Sequence, residues 1–192
     1  MPAEDLAMRQ HIAALVRGII PHDQLERQQI DAVLSWLVSA DQIYRVSKPD
    51  VPPQHLVIYV VLVDAPRRQV LLVDHINAGL WLPSGGHAEP GEHPQQTARR
   101  ELAEELGLAA DFLFDEPVFL TVTPTVGASA GHTDVSLWYA LRGDSTRPVG
   151  VDRSEFHDAR WFDFGALPFG RSDPHLRRFI DKLRLRLGDM VV

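Results

Sequence analysis

Apolar residues recur every three or four positions through the N-terminal part of this 192-residue chain. That period predicts two amphipathic helices, the first closed by Pro21 and the second opened by the capping-box spacing of Asp23 and Glu26. The two apolar stripes are Met8, Ile12, Leu15 and Ile19, and then Ile30, Val33, Leu34 and Leu37. We therefore expect a helical hairpin that forms an N-terminal extension, residues 1–45. Such stripes usually pack on a core or in a dimer contact, and a regulatory or substrate-reading module is the alternative.

Beyond the extension, the pattern changes to short runs rich in Val, Ile and Leu. A proline-containing connector, residues 46–54, comes first. The runs predict strands, and a final helix is expected to begin near Ser172-Asp-Pro174. The predicted strands are residues 55–63, 70–75, 118–123, 135–141 and 160–164. Elements in this order indicate one domain, residues 46–192, with an α/β fold: an α/β/α sandwich around a mixed β-sheet.

A third helix is predicted between Pro94 and Gly107. Proline suits the first helical turn, and glycine suits the position just past the end, where left-handed backbone is common. An apolar stripe that can dock on the sheet is formed by Ala98, Leu102 and Leu106. Glu101, Glu104 and Glu105 stand at i, i+3 and i+4, so they share another side of the helix. We expect this acidic face to be presented to a ligand rather than buried.

The three glutamates repel one another at this spacing. Each like-charged pair destabilises an isolated helix by roughly 0.2–0.5 kcal/mol, so their clustering indicates that a cation sits there in the working protein. A divalent metal is the obvious candidate, because hard ions such as magnesium prefer carboxylate oxygens and complete their shell with water and substrate phosphates. Gly85 and Gly86, just upstream, allow the backbone to come close to a ligand or ion.

Composition agrees with a soluble protein of the cytoplasm. The chain has no cysteine, which excludes disulfides, cysteine-bound zinc and thiol nucleophiles and favours a reducing compartment. Charged groups occur throughout the first 30 residues and no apolar run reaches membrane length, so neither secretion nor membrane insertion is expected. A net charge of −7 disfavours broad electrostatic binding to nucleic acid.

The segment from Gly86 to Leu108 resembles the Nudix box of Nudix hydrolases. That box reads Gly, five residues, Glu, seven residues, then Arg-Glu-U-x-Glu-Glu-x-Gly-U, where U is aliphatic. The matching positions are Gly86, Glu92, Arg100, Glu101, Leu102, Glu104, Glu105, Gly107 and Leu108. Matches at every defined position make the signal specific, and the wider resemblance runs from about His55 to Trp161. Ser84 departs from the family, which often has proline before the glycine pair, and this affects only the local turn.

The resemblance implies the Nudix fold and the hydrolysis of a nucleoside diphosphate linked to another group, by attack of water on one phosphorus. The partner would thus be a small nucleotide-linked substrate, with no nucleic acid and no membrane. Nucleoside triphosphates, including oxidised ones, are the leading expectation. ADP-ribose and other nucleotide sugars come next, followed by dinucleoside polyphosphates.

The resemblance also assigns roles within the box. Glu104 and Glu105 would bind magnesium, or manganese in its place, with the Gly85 carbonyl as a further ligand. Glu101 would either join them as a ligand or serve as the general base, since family members differ on this point. Arg100 is expected to pair with Glu92 through a charge-assisted hydrogen bond that orients the acidic cluster.

Outside the box the signals are weaker. Glu155 precedes a predicted strand, where Nudix enzymes often have an acidic residue that reaches the metal or acts as base; a solvated loop residue is the alternative. His132 and Asp134 either face the pocket or merely begin a strand. His87 is a candidate phosphate contact, but we do not expect it to bind metal where carboxylates already serve a hard ion. No partner is visible in the sequence for His55, His75 and His93.

Two classes of function follow from these residues. The first is a magnesium-dependent hydrolase, and the second is a non-catalytic nucleotide sensor that signals through the N-terminal helices. The intact Arg100-Glu101 and Glu104-Glu105 pairs favour the enzyme, because a sensor need not keep a general base. The isopentenyl diphosphate isomerases of this fold rely on a catalytic cysteine, so that branch is disfavoured. A second copy of the chain is a further candidate partner, through the N-terminal helices.

Overall fold

The computed structural model describes residues 3–47, 51–127 and 130–189. Within these ranges the chain forms helices on both faces of one mixed sheet. The helices are α1 Ala3–Gly18, α2 Gln24–Ser39, α3 Pro94–Leu106 and α4 Leu176–Asp189, with a short 3-10 helix at Phe169–Arg171. The strands are β1 Gln54–Asp64, β2 Gln69–His75, β3 Leu80–Leu82, β4 Ser84–His87, β5 Phe119–Pro124, β6 Thr133–Arg142 and β7 Phe156–Asp163. The predicted mixed sheet and N-terminal helical hairpin are confirmed.

Strand β1 is the centre of the sheet. It pairs in parallel with β6 along its length and antiparallel with β2 and β4, while β5 extends the sheet beyond β6 and both β3 and β7 pair with β2. In the β1–β6 register His55 lies opposite Asp134, and in the β1–β4 register Val57 lies opposite His87. The start of β1, the start of β6 and the end of β4 therefore meet at one end of the sheet.

Alternation along β1 divides the core into two layers, because successive strand side chains point to opposite faces. Leu56, Ile58 and Leu62 belong to the cluster that contains the buried faces of α1, α2 and α3. Val61 and Val63 belong to the cluster that contains α4. The α/β/α sandwich is thus confirmed, and the N-terminal helices cover the sheet. The division into residues 1–45 and 46–192 stays a prediction.

Helix α3 begins and ends where its sequence predicts. His93 caps its start, since the ring Nδ1 accepts from the Gln95 amide at 3.2 Å and the Gln96 side chain accepts from the His93 amide at 3.0 Å. Pro94 takes the first turn, and Gly107 ends the helix in left-handed backbone with φ of 66°. Local capping chemistry therefore fixes the helix that carries the three glutamates.

The sequence did not predict β3 and β4. Ser84–His87 contains two glycines and has little intrinsic strand preference, but its backbone pairs with β1 from Val57 to Val60. Strand β7 also begins earlier than expected, at Phe156 rather than at residue 160. In both places, pairing with a neighbouring strand outweighs local propensity. Among the described residues, no helix is long and apolar enough to cross a membrane.

A buried ion pair joins the N-terminal helices to α4. Glu26 is fully buried, and its Oε1 accepts from Lys182 Nζ at 2.7 Å and from the Leu120 amide at 3.2 Å. The predicted capping role belongs to Asp23, which accepts from the Glu26 amide at 2.9 Å. Asp23 also pairs with Arg178 of α4 at 2.6 Å. The two contacts with α4 span more than 150 positions of the chain, so the sequence pattern gave no sign of them.

We expect Lys182→Met to lower the free energy of unfolding by about 3–5 kcal/mol, because it leaves the buried Glu26 carboxylate without its countercharge. Urea denaturation measures the loss. In the double variant Glu26→Gln/Lys182→Met no charge is buried, so a substantial part of the stability should return. A single variant within about 1 kcal/mol of wild type would contradict this role of the ion pair.

Candidate active site

Helix α3 places its glutamates in three different environments. The apolar stripe faces the core, and Glu105, next to that stripe, is only 6% exposed. The Glu104 side chain is 61% exposed, and that of Glu101 is 13% exposed. The expectation of a fully presented acidic face was therefore wrong for Glu105 and correct for Glu104. The reason is that α3 docks against β4, so the side of the helix that carries Glu105 turns toward that strand.

Glu105 is held by the strand beneath it. Its Oε2 accepts hydrogen bonds from the Ser84 hydroxyl at 2.6 Å and from the Gly85 amide at 2.9 Å. Ser84, the one departure from the family pattern, thus donates a hydrogen bond directly to the buried carboxylate. Two donors of β4 therefore fix one oxygen of this carboxylate against the strand.

The glycine pair lies where a side chain would not fit. Gly85 has a φ of 131°, and a Cβ there would lie 2.0 Å from the Ile58 carbonyl oxygen. A Cβ at Gly86 would lie 2.6 Å from Oε1 of Glu101. The β4 backbone is therefore packed between β1 and the carboxylates of α3. Glycine at these two positions permits that close approach.

Arg100 joins the loop before α3 to the glutamates on the helix. Its Nε and Nη2 each donate to Glu92 at 2.9 Å, and its Nη1 donates to Glu101 at 2.7 Å and to Glu104 at 3.3 Å. Nη2 also donates to the His87 carbonyl at 3.1 Å. One guanidinium thus fixes the loop, the helix and the end of β4 together.

The charge states follow from this arrangement. Burial would raise the pKa of Glu92, but hydrogen bonds from Arg100 and Thr97 lower it below its ordinary value. The hydrogen bond with Glu92 raises the pKa of Arg100 well above its usual range. This pair is therefore charged at any physiological pH, and it presents a fixed positive group to the neighbouring glutamates.

Glu105 is the most perturbed carboxyl of α3. Burial raises its pKa to about 8, although hydrogen bonds from Ser84 and Gly85 favour the charged form. The negative charges of Glu101 and Glu155 raise this pKa further. Without a cation, the buried carboxyl therefore retains its proton near neutral pH.

Glu155 acts on the same group through its charge, from another part of the chain. Burial is the main cause that raises the pKa of Glu101, and the charge of Glu155 contributes to that rise and to the rise at Glu105. The same charge acts on His75. Glu155 therefore adds a negative charge that acts on both glutamates, although it comes from the loop before β7.

The donor atoms of this carboxylate group decide which class of cation suits it. It offers oxygen donors from Glu101, Glu104 and Glu105, and the charge of Glu155 adds to their mutual repulsion. Hard divalent ions prefer such oxygen donors, and a charge of +2 would replace the proton as the compensating charge. These residues therefore fit a hard divalent ion.

Several histidines stand beside this group in an arrangement that the sequence did not predict. Ligand atoms of His55, His87, His132 and Asp134 all lie within 4.8 Å of one another. The sequence shows no partner for His55, but the structure places His87 and Asp134 beside it, and His132 and Asp134 do more than begin a strand. The residues come from β1, β4 and the start of β6, so only the pairing of these strands brings them together. His75 contacts Phe156 instead, and His93 caps α3.

We expect the ionisation of Glu105 to lower the free energy of unfolding of the metal-free protein as pH rises between about 4.5 and 8. The folded chain keeps the Glu105 proton up to about pH 8, whereas the unfolded chain releases it near 4.5, so unfolding releases a proton in this window. Urea denaturation in the presence of a chelator at several pH values measures the slope.

The Glu105→Gln variant keeps the hydrogen-bond acceptor and lacks the titrating group. Over this window, its free energy of unfolding should therefore fall by up to a few kcal/mol less than that of wild type. Glu116→Gln, at an exposed glutamate, is the matched control and should keep the wild-type slope. Equal slopes in wild type and Glu105→Gln would show that Glu105 ionises normally.

Comparison with known proteins agrees with the geometry. The family model described as the NUDIX domain matches residues 53–183. The oxidized purine nucleoside triphosphate hydrolase of Danio rerio is 31% identical over 114 residues, which cover 58% of this chain and 69% of that relative. The RNA pyrophosphohydrolase of Brucella ovis is 33% identical over 124 residues, covering 56% and 69% respectively. The name of the second relative is partly at odds with the expectation that no nucleic acid is a partner.

Solved structures agree on the fold. The MutT NUDIX hydrolase from Burkholderia pseudomallei superposes with a TM-score of 0.53 at 21% identity, over 67% of this chain and 97% of that one. The MutT protein from Methanosarcina mazei Go1 superposes with a TM-score of 0.55 at 16% identity, over 70% and 95%. The family match, the relatives and the box on α3 lead to one conclusion: the chain belongs to the Nudix family and is a hydrolase that acts on phosphorus anhydrides.

Proposed function

We propose that this Nudix hydrolase cleaves the diphosphate linkage of nucleoside triphosphates, including oxidised ones, with Mg²⁺ or Mn²⁺ as cofactor. The observation that carries the proposal is the buried Glu105, which β4 holds among other carboxylates beside the glycine pair. Such a group suits a divalent ion. An ion of this kind can bind carboxylates and the oxygens of a polyphosphate chain at the same time. The name of the Danio rerio relative supports the choice of substrate.

Glu104 and Glu105, with the Gly85 carbonyl and with Glu101 as a further candidate, would hold the ion. When bound, the ion neutralises phosphate charge and makes water a better nucleophile. Glu105 is already oriented by Ser84 and Gly85, while Glu104 is exposed, with one long contact to Arg100 at 3.3 Å, and can turn toward an arriving ion. One fixed and one adjustable carboxylate allow the group to bind the ion and its substrate together.

Arg100 and Glu92 act as positioning residues in this proposal. The paired hydrogen bonds between them fix the guanidinium, and its Nη1 then holds the Glu101 carboxylate at 2.7 Å. Because the guanidinium is engaged on several sides, it orients the acidic group instead of reaching toward a phosphate. Loss of the pair would lower turnover through misplaced glutamates.

The attacking water must give up a proton, and Glu155 is our first candidate to accept it at a carboxylate oxygen. The residue is exposed, so its side chain can move, and its charge already acts on Glu101 and Glu105. Glu101 is the second candidate, but its carboxylate accepts a hydrogen bond from Arg100. Glu155→Gln should therefore lower kcat more than it raises KM.

The fold says least about which nucleotide the substrate contains, because the loops around the site determine specificity. A 5′-triphosphate on RNA contains the same diphosphate linkage, and the Brucella ovis relative is named for RNA. The net charge of −7 opposes broad contact with a long RNA backbone, so we place free nucleotides first. ADP-ribose and nucleotide sugars come next. The cytoplasmic location and a homodimer stay predictions.

The proposal is tested by a panel of nucleoside triphosphates, oxidised triphosphates, ADP-ribose, nucleotide sugars and 5′-triphosphate RNA, incubated with purified protein and Mg²⁺. Mass spectrometry identifies the products, and ¹⁸O-labelled water locates the attacked phosphorus. Fastest turnover of a triphosphate supports the proposal. Turnover of RNA or ADP-ribose alone would replace the substrate, and binding without turnover would favour a nucleotide sensor.

We expect Glu104→Gln to lower Mg²⁺-dependent kcat by at least about 100-fold, since it removes a charged ligand from the metal group. The exposed side chain makes few contacts, so the melting temperature should stay close to that of wild type. Glu116→Gln is the matched control and should keep full activity. Wild-type turnover in Glu104→Gln would rule out its assignment as a metal ligand.

The glycine pair gives a second prediction, because its two members are confined by different atoms. In Gly86→Ala the new Cβ meets only the end of the Glu101 side chain, so the fold should persist while turnover falls roughly 10–100-fold. In Gly85→Ala the Cβ meets the Ile58 backbone, so stability itself should fall by at least about 2 kcal/mol.

Thermal melting and steady-state kinetics separate the two effects. Gly165→Ala, at an exposed glycine with nothing within 4 Å of the new Cβ, is the control and should change neither quantity. If Gly86→Ala keeps full activity, the placement of Glu101 does not limit turnover.

A further inference from the structure

We propose that His55, His87, His132 and Asp134 form a second metal site, for a divalent transition ion such as zinc. This site is distinct from the glutamates of α3, which offer only oxygen donors. Imidazole nitrogen suits zinc and similar borderline ions, whereas magnesium prefers oxygen. The proposal concerns metal binding alone and does not depend on the substrate proposed above.

The distances between the ligand atoms agree with one shared ion. Nε2 of His55 lies 2.9 Å from Nε2 of His87 and 3.5 Å from Oδ1 of Asp134, and Nε2 of His132 lies 3.1 Å from that same oxygen. A tetrahedral zinc ion with bonds of about 2.0–2.1 Å holds its ligand atoms roughly 3.3–3.4 Å apart. The three contacts are close to this spacing, and the other pairs of ligand atoms lie within 4.8 Å.

The tautomer of His55 is fixed by the backbone. Its Nδ1 lies 2.9 Å from the Pro52 carbonyl, which can only accept a hydrogen bond, so Nδ1 carries the proton. In the neutral ring, Nε2 then has its lone pair directed toward His87 and Asp134. A histidine held through its other nitrogen by a backbone carbonyl is the usual arrangement of a metal ligand.

His132 is held by Thr125. The Thr125 hydroxyl donates to the His132 carbonyl at 3.1 Å and accepts from the His132 amide at 3.3 Å, and Nδ1 of the ring lies 3.3 Å from the same hydroxyl oxygen. Nε2 of His132 lies 3.1 Å from Oδ1 of Asp134, and a bound ion would take the place of the proton between them. Imidazole nitrogens and one carboxylate oxygen thus lie together at a distance that one cation can bridge.

The site is built into the fold. His55 is fully buried and His132 is 8% exposed, and the rings of these two residues stack with centroids 4.7 Å apart. Asp134 lies opposite His55 in the β1–β6 register, and His87 ends the strand that carries the glycine pair. Four protein ligands indicate a closed, structural site. A bound ion would fix the end of β4, whose His87 carbonyl accepts from Arg100.

The test uses the full chain without a histidine tag, stripped with a chelator and then titrated with Co²⁺ in excess Mg²⁺. Visible absorption reports nitrogen coordination of cobalt, and zinc competition and thermal melting follow. We expect one cobalt per chain, intense tetrahedral bands, displacement by zinc and a higher melting temperature with zinc. No cobalt spectrum in the wild-type protein would overturn the proposal.

His87→Ala and Asp134→Asn should each weaken cobalt binding by more than about 100-fold, since changes to groups around a ligand already weaken binding about 10–100-fold. The two substitutions lie on different strands. If one variant misfolds, the test rests on the other, provided that it keeps the wild-type circular dichroism spectrum. Unchanged binding in that variant would overturn the site.

The matched control is His157→Ala, which removes an exposed histidine outside the cluster and should leave the titration unchanged. Glu104→Gln should also keep the cobalt spectrum while losing turnover. That difference separates the two proposals: an inactive protein that binds cobalt supports the histidine site whatever happens to the catalytic assignment. Loss of the spectrum in Glu104→Gln would place the cobalt at the glutamates instead and overturn the proposal.

Discussion

The close approach of the β4 backbone to its neighbours sets the geometry of the whole site. A Cβ on Gly85 would lie 2.0 Å from the β1 carbonyl oxygen of Ile58, and a Cβ on Gly86 would lie 2.6 Å from the carboxylate of Glu101. This packing brings the Gly85 amide within hydrogen-bond distance of Glu105. The short strand is stable there because β1 supplies its backbone partners, although its sequence has little strand preference.

The charged residues of the site lie around this closely packed backbone. The buried Glu105 has a raised pKa, Glu104 is exposed, and Arg100 holds Glu101 and the preceding loop in place. A helix with three such glutamates would be disfavoured by repulsion if its other side did not pack into the core. The apolar contacts of α3 therefore hold together a group of charges that is suited to a divalent ion and a phosphate chain.

The N-terminal helices contribute to the same rigidity. They share the apolar cluster that backs α3 and the sheet, and Glu26 connects them to α4 through a buried ion pair. Their position gives the extension a structural role, as its apolar stripes predicted. At the end of the sheet beside the glycine pair, the histidine cluster offers nitrogen donors, so the chain has two donor sets that suit different classes of cation.

The sequence by itself determined the features that depend on residues close together in the chain. The spacing of the box identified the family and the glutamates, and Pro94 and Gly107 marked the limits of α3, because capping and helical periodicity act within a few residues. Tertiary structure alone decided the burial of Glu105, the Glu26–Lys182 pair and the meeting of His55 with Asp134. Each of these depends on strand register or helix docking between segments far apart in sequence, and one histidine among apolar neighbours carries no mark of the residue it will face.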